Sequence, residues 1–311
     1  MGILIGRRLL IGLLVVFGAS VVVFLVLHEV PGDPVAAKLQ GAPATPALIA
    51  SIRASLGLNR SLPAQYWAFV TGALHGNLGT SYVGDQPVAG LLFAAIPSTL
   101  ELTGASLLIG AVGGGVLGIW SAVTAGRWPD AVIRSFSSLF AAMPVFWTGI
   151  LLLLVFSFSL HWFPGIGGAG LPGLVLPALS LGLASAGVLA RVVRTSMLEI
   201  VDEPFVGMLA AKGLSRLRIL VPHVTRSALV PVVAVLGLQL GEALAGAVVT
   251  ETVFSRTGVG RLLVTAIENK DYPIVQGVMV FIAVGLVLVN IVVDVGQALI
   301  DPRVGLAPAG A

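Results

Sequence analysis

The chain has 311 residues, of which 57% are hydrophobic and only 10% charged, with 39 glycines and no cysteine; its mean hydropathy is +1.04. A soluble domain averages about 45–50% apolar and about 25% charged residues, so this composition excludes an ordinary soluble globule and indicates a bilayer protein. The formal net charge of +3 needs no nucleic acid to explain it, and the absence of cysteine removes disulfides, thiolate catalysis and Cys-based metal sites together while leaving the redox compartment open.

Crossing the hydrocarbon core takes about 20 apolar residues. Uncharged runs occur at 9–27, 102–126, 135–160, 162–190, 227–241 and 272–293. The first follows Arg7 and Arg8 and reads as a retained signal anchor, because it exceeds an ordinary signal-peptide core and "HEVPGDP" offers no small-x-small cleavage site. Backbone in lipid must satisfy its own hydrogen bonds, and these Leu/Val/Ala/Gly runs lack the alternation of barrel strands. The expectation is an all-α, polytopic membrane protein with six transmembrane helices.

Residues 29–96 form a segment between helices 1 and 2 with its own punctuation. Thr45-Pro46 reads as N-cap and first helical residue of a short helix through "ALIASIRASLGL", and Leu62-Pro63 opens another through "AQYWAFVTGALHG". "GNLGTSYVGDQPV" is turn-rich and extended, so a small subdomain is expected here. Helix 2 carries Gly110, Gly114 and Gly118, a spacing that lets helix backbones approach closely, and tight packing within the bundle is favoured over a dimer seam. Glu101, at its start, reads as solvated near an interface. Helix 3 is the 135–160 run; helix 4 is expected to begin near residue 174, beyond Pro164 and Pro172.

Helix 5 is continuous only if Glu242 lies inside the membrane, with Gln239 and Gly246 on the same face and a second small-residue row at Gly237, Gly241 and Ala245. A carboxylate facing lipid costs about 2.5–3.5 kcal/mol on insertion scales, so Glu242 must face the bundle or a wet cavity. It is either a pathway group that meets the amino group of a solute or a structural polar contact. In helix 6, Asn290 and Asp294 read as a structural link near its inner end.

With six spans and the N-terminus inside, eleven Lys and Arg fall on the inner side (Arg7, Arg8, Arg127, Arg134, Arg191, Arg194, Lys212, Arg216, Arg218, Arg226 and Arg303) and six outside (Lys38, Arg53, Arg60, Arg256, Arg261 and Lys270). That asymmetry sets the orientation. The 29–96 segment is then extracytoplasmic. The island "AAKGLSRLRILVPH", at 210–223, is cytoplasmic.

The lysines are followed by Leu39, Gly213 and Asp271, so no P-loop is present. No H-E-x-x-H or Gly-x-Ser-x-Gly motif occurs, and the four histidines are scattered. No catalytic residue, metal site or cofactor of the chain's own is expected. A self-sufficient channel or secondary transporter would use Glu242 and Asp294 as ion sites and show inverted repeats, which the sequence lacks.

Ala211-Lys212-Gly213-Leu214-Ser215, followed by His223, Arg226, Ala228-Leu229 and Pro231, resembles the cytoplasmic coupling loop of the dipeptide/oligopeptide/nickel ABC importer permeases, B-type subunit. "PGDPV" at 31–35, "LGLNRSLPAQYWAF" at 56–69, "GNLGTSY" at 76–82, "MPVFWTGILLLL" at 143–154, "VVTETVFSRTGVGRLL" at 248–263, "DYPIVQG" at 271–277 and "DPRV" at 301–304 carry the likeness across nearly the whole chain. Leu209 departs from the family's Ala-x-Ala-Lys-Gly pattern.

The resemblance implies a type I ABC importer permease fold and no ATPase site in the chain. It implies a second, homologous permease subunit, two cytoplasmic ATP-binding subunits that carry the ATP, and an extracytoplasmic solute-binding protein or lipoprotein. Peptides are the expected solute, with glutathione or a nickel chelate as the alternative. The ATPase-coupling residues would be Ala210, Ala211, Lys212, Gly213, Leu214 and Ser215, and Gln239 and Glu242 would line the translocation pathway. The expected organisation is 1–28 (N-terminus and helix 1), 29–96 (extracytoplasmic segment), 97–300 (core, with the coupling segment at about 198–222) and 301–311 (cytoplasmic tail), in a bacterial cell membrane.

Overall fold

The computed structural model of the protein describes residues 2–29, 32–39, 43–168 and 170–300. Among these it is helical apart from turns and an isolated antiparallel bridge between Thr80 and Pro87. In chain order the helices are α1 (Gly2–Glu29), α2 (Pro34–Leu39), α3 (Pro46–Ser55), α4 (Leu62–Leu74), α5 (Val88–Val123), α6 (Trp128–Ala142), α7 (Val145–Leu152), α8 (Gly170–Val201), α9 (Pro204–Ala211), α10 (Arg216–Ile219), α11 (Thr225–Val253), α12 (Val259–Glu268) and α13 (Tyr272–Ile300). A π-helix, Leu153–Ser159, prolongs α7, and another, Leu220–Val224, joins α10 to α11.

Among the described residues, five helices are long and apolar enough to cross a membrane: α1, α5, α8, α11 and α13. A sixth crossing requires α6 and α7 with its π-helical extension, which are bent by 107° at the break between them, to count together as one span. The uncharged run at 135–160 thus gives no straight helix. Pro144 excludes the helical conformation from the residue before it, and Met143 is extended at φ −75°, ψ 131°. Two boundaries also move. α5 begins at Val88, inside the stretch read as the segment between helices 1 and 2, and α8 begins at Gly170 rather than near 174. Pro172 is accommodated there because the first turn of a helix has no use for its N–H.

The chain divides into two compact units, one comprising the chain up to Thr99 with Thr257–Leu288, the other Leu100–Arg256 with the segment from Val289 onward. In the first, Leu27, Val88, Leu92, Leu263, Tyr272 and Val278 share a buried core. Thr45 caps α3, its Oγ1 accepting the Leu48 N–H at 3.3 Å with Pro46 next to it, and α4 opens on Leu62-Pro63. Asp271, 2% exposed, organises the turn-rich stretch by accepting the Ser81 hydroxyl at 2.5 Å and the Tyr82 N–H at 3.0 Å. Burial, with Asp271 and Tyr272 nearby, pushes the Tyr82 hydroxyl up to about 12, so it stays neutral at any physiological pH. Lys38–Asp85 and Arg53–Asp33 ion pairs, each 2.6 Å, tie α2 and α3 into the same unit.

In the second unit the glycine row of α5 packs on α8. A Cβ at Gly114 would lie 2.6 Å from Leu189 Cβ, one at Gly118 2.6 Å from Val193 Cβ and 2.7 Å from Ala190 O, and one at Gly110 would collide with Ser185. The row serves packing within one chain. Without a hydrophobic drive in lipid, such close approach is what holds helices together.

Candidate functional site

The island reads as a helix, a sharp stop and a second helix. α9 begins with Pro204 and runs to Ala211, capped by Lys212. Gly213 then takes φ +85°, the left-handed conformation that only glycine adopts without penalty. Its N–H bonds Ala210 O at 2.9 Å and the Leu214 N–H bonds Leu209 O at 3.3 Å, the paired pattern of a Schellman stop. Leu209 and Leu214 both pack on a buried cluster that includes Val193, Met197, Ile219, Leu220 and Val224. Leu209 therefore supplies the apolar contact that locks the stop, which accounts for the departure from Ala at that position. Ser215 is extended and starts α10, whose Ile219 is buried in the same cluster.

What this frame presents to solvent is distinct from what anchors it. Ala210, Ala211, Lys212, Gly213, Ser215, Arg216 and Arg218 are exposed, whereas Leu214 is half-buried. Met208 and Leu217, 53% and 59% exposed, border them, and a side chain at Gly213 would meet nothing within 4 Å. The result is a small-residue knob with apolar and cationic flanks on an anchored turn.

Gln239, Glu242 and Gly246 line one cavity of about 160 Å³, together with Ser106 and Ser185. Gln239 is 4% exposed and committed: its Oε1 accepts the Ser185 hydroxyl and its Nε2 donates to Ser185 O at 3.3 Å, bridging α11 to α8. Glu242 is exposed. The structure thus brings both residues to one cavity but ties only the amide into the helix packing. Glu101 accepts the Arg256 guanidinium at 2.8 Å. Asn290 is exposed, and Asp294 lies outside the residues whose side chains are described.

Two buried carboxylates besides Asp271 escaped the sequence reading. Asp130, 1% exposed, accepts Arg194 Nε at 2.8 Å and Nη2 at 2.9 Å, the Ser121 hydroxyl at 2.6 Å and the Gly126 N–H at 3.1 Å. It clamps α5, α6 and α8 together, with Arg134 a further 3.4 Å contact. The signal available was a lone acid among arginines that topology alone would explain. Glu251 of α11 is fully buried, and sits beside Thr250, also buried.

Two family models match the chain. Residues 1–103 match the N-terminal part of the membrane component of binding-protein-dependent transport systems, and residues 114–306 match the binding-protein-dependent transport system inner membrane component itself. The chain belongs to this family. The permease is 38% identical over 298 residues to the glutathione transport system permease protein GsiC of Escherichia coli O6:H1 (strain CFT073), covering 96% of this chain and 97% of that protein. It is 38% identical over 285 residues to GsiC of Salmonella choleraesuis (strain SC-B67), covering 92% and 93%. Among solved structures, an inward-facing MetNI methionine ABC transporter chain aligns with a TM-score of 0.57 at 18% identity, over 67% of the permease and 95% of that chain. The fold is that of a type I ABC importer permease. The permease is accordingly a membrane subunit of an ABC importer, and ATP hydrolysis in such systems belongs to separate subunits.

Proposed function

We propose that the permease forms half of the translocation pathway of an ATP-driven importer for short peptides. Its partners are a second, homologous permease subunit, two cytoplasmic subunits that bind the ATP, and an extracytoplasmic solute-binding protein or lipoprotein. The observation that carries the reading is the similarity, over nearly the whole length, to permeases named for the transport of glutathione, itself a tripeptide. That same name favours glutathione as the particular solute.

The arginine asymmetry supports a cell-membrane orientation with both termini cytoplasmic and the 29–96 segment outside. Residues 210–215 then face the ATP-binding subunits. A lever must be rigid at its root and open at its tip; the Leu209/Leu214 anchor and the exposed Ala210–Gly213 knob meet both demands. Closure of the ATP-binding subunits pushes the knob, and the cluster under it passes the displacement to α8 and α11, the helices that carry Ser185, Gln239 and Glu242. Glu242 is the group of this cavity placed to meet a solute ammonium, while Gln239 positions α11 against α8.

The test is uptake by the assembled importer in proteoliposomes, with radiolabelled glutathione, a dipeptide and a nickel chelate compared in parallel. ATP-dependent uptake of glutathione or the dipeptide is expected. Uptake of the chelate alone refutes the peptide reading, and uptake by the permease without its ATP-binding subunits refutes the importer-subunit role.

A further inference from the structure

A cavity of about 160 Å³ between α5, α6 and α8 is lined by Ser121, Arg134, Ser137, Ser138, Arg191 and Arg194. Ser137 is 5% exposed and its Oγ has no hydrogen-bond partner among the described residues. Buried hydroxyls are normally satisfied, so this one calls for an occupant that accepts its proton. The arginines specify the sign of that occupant. Arg194 is engaged by Asp130 and Arg134 approaches the same carboxylate, while Arg191 is exposed and makes no ion pair among the described residues. Three guanidinium groups against one carboxylate leave two positive charges unmatched at the cavity.

The cavity is built into the packing. A Cβ on Gly187 would lie 2.5 Å from Ser137 O and 3.0 Å from Ala141 N, so α6 lies directly on α8 at this level and the orphan hydroxyl is held in place. Beside it, α6 exposes Trp128, Val132, Phe136 and Leu139 at four- and three-residue spacing, an apolar strip that runs along the helix.

We propose that this cavity is a phosphate-binding site that takes the headgroup phosphate of an anionic phospholipid, with an acyl chain along the Trp128–Leu139 strip. Arg191 and the free donors of Arg134 and Arg194 hold the phosphate oxygens, and Ser137 donates to one of them. Basic pockets between membrane helices on the cytoplasmic side suit such headgroups. Placing the lipid in the inner leaflet rests on the orientation proposed above; the phosphate site itself does not. The bound phosphodiester, with one negative charge, offsets half of the surplus charge next to the Asp130 clamp and stiffens the α6–α8 contact, on the helix whose Val193 and Met197 support residues 209–214.

Native mass spectrometry of the purified full-length permease in detergent, titrated separately with phosphatidylglycerol, phosphatidylcholine and inorganic phosphate, tests this. Phosphatidylglycerol is expected to be retained in preference to phosphatidylcholine. Arg191→Gln and Ser137→Ala should each weaken it about tenfold, the loss of one charge-assisted contact, while Arg226→Gln, a change at another exposed arginine, leaves it intact. Arg191-dependent binding of inorganic phosphate without preferential retention of phosphatidylglycerol keeps the oxyanion site but refutes the lipid. Equal phosphatidylglycerol retention by wild type, Arg191→Gln and Ser137→Ala overturns the proposal. If cysteine labelling reverses the orientation while these losses persist, only the leaflet changes.

Discussion

At Gly213 two explanations of the glycine compete, a backbone that needs φ +85° and a surface that needs close approach. Nothing among the described residues crowds the position, so the penalty there is conformational, about 1–2 kcal/mol for an ordinary L-residue and less for Asn. Gly213→Val should therefore lower solute transported per ATP hydrolysed by the reconstituted complex, with membrane insertion unchanged, and Gly213→Asn should retain most coupling. Equal loss in both variants would shift the role of Gly213 to contact with the partner. Asp130 poses a different question. Its removal leaves Arg194 and the Ser121 hydroxyl without their acceptor, and breaking a buried pair from one side costs about 3–5 kcal/mol. Because Arg194 is 22% exposed, the lower end applies, and Asp130→Ala should lower the thermal unfolding midpoint in detergent by several degrees. An unchanged midpoint would show that the clamp adds no net stability.

The helix α5 supplies its own control for the packing argument. A Cβ on Gly118 would lie within 2.8 Å of Val193 and Ala190 O, whereas one on Gly115 of the same helix would meet nothing within 4 Å among the described residues. Gly118→Leu should destabilise the permease by about 1–3 kcal/mol, as overpacking does, and Gly115→Leu should leave the melting midpoint in place. Equal effects would mean that helix flexibility, not approach to α8, is what the glycines serve. The distinction explains which elements were legible in the sequence. Helices announced by length of apolar run, by Thr45-Pro46 or by Gly110/Gly114/Gly118 emerge where local chemistry puts them, because caps and small-residue rows act over a few residues. The α6–α7 bend was written in Pro144 but concealed by an unbroken uncharged run. The Asp130 clamp joins residues 64 apart in the chain, and no local pattern reveals such a partner. The same holds for Gln239, whose bonds to Ser185 span 54 positions.

At the scale of the whole molecule, the roles proposed for residues 210–215 and for the segment ahead of α5 require the two to lie on opposite sides of a bilayer. Helix parity supports this. Once the bent pair counts as one crossing, the chain crosses six times, and Asn59 and Ser215 are separated by the spans α5, α6–α7 and α8. Three crossings put two sites on opposite faces; reading the bent pair as a re-entrant loop would put them on the same face. The chain has no cysteine, so single substitutions report without background. Both positions are exposed. In intact cells a membrane-impermeant maleimide should label Asn59→Cys and leave Ser215→Cys unmodified until the membrane is permeabilised. Labelling of both in intact cells would make α6–α7 re-entrant and remove residues 210–215 from the cytoplasm, and with them the lever. The reversed pattern would invert the permease and set the arginine count aside. The expected pattern puts residues 210–215 on the cytoplasmic side, where the proposed lever requires them.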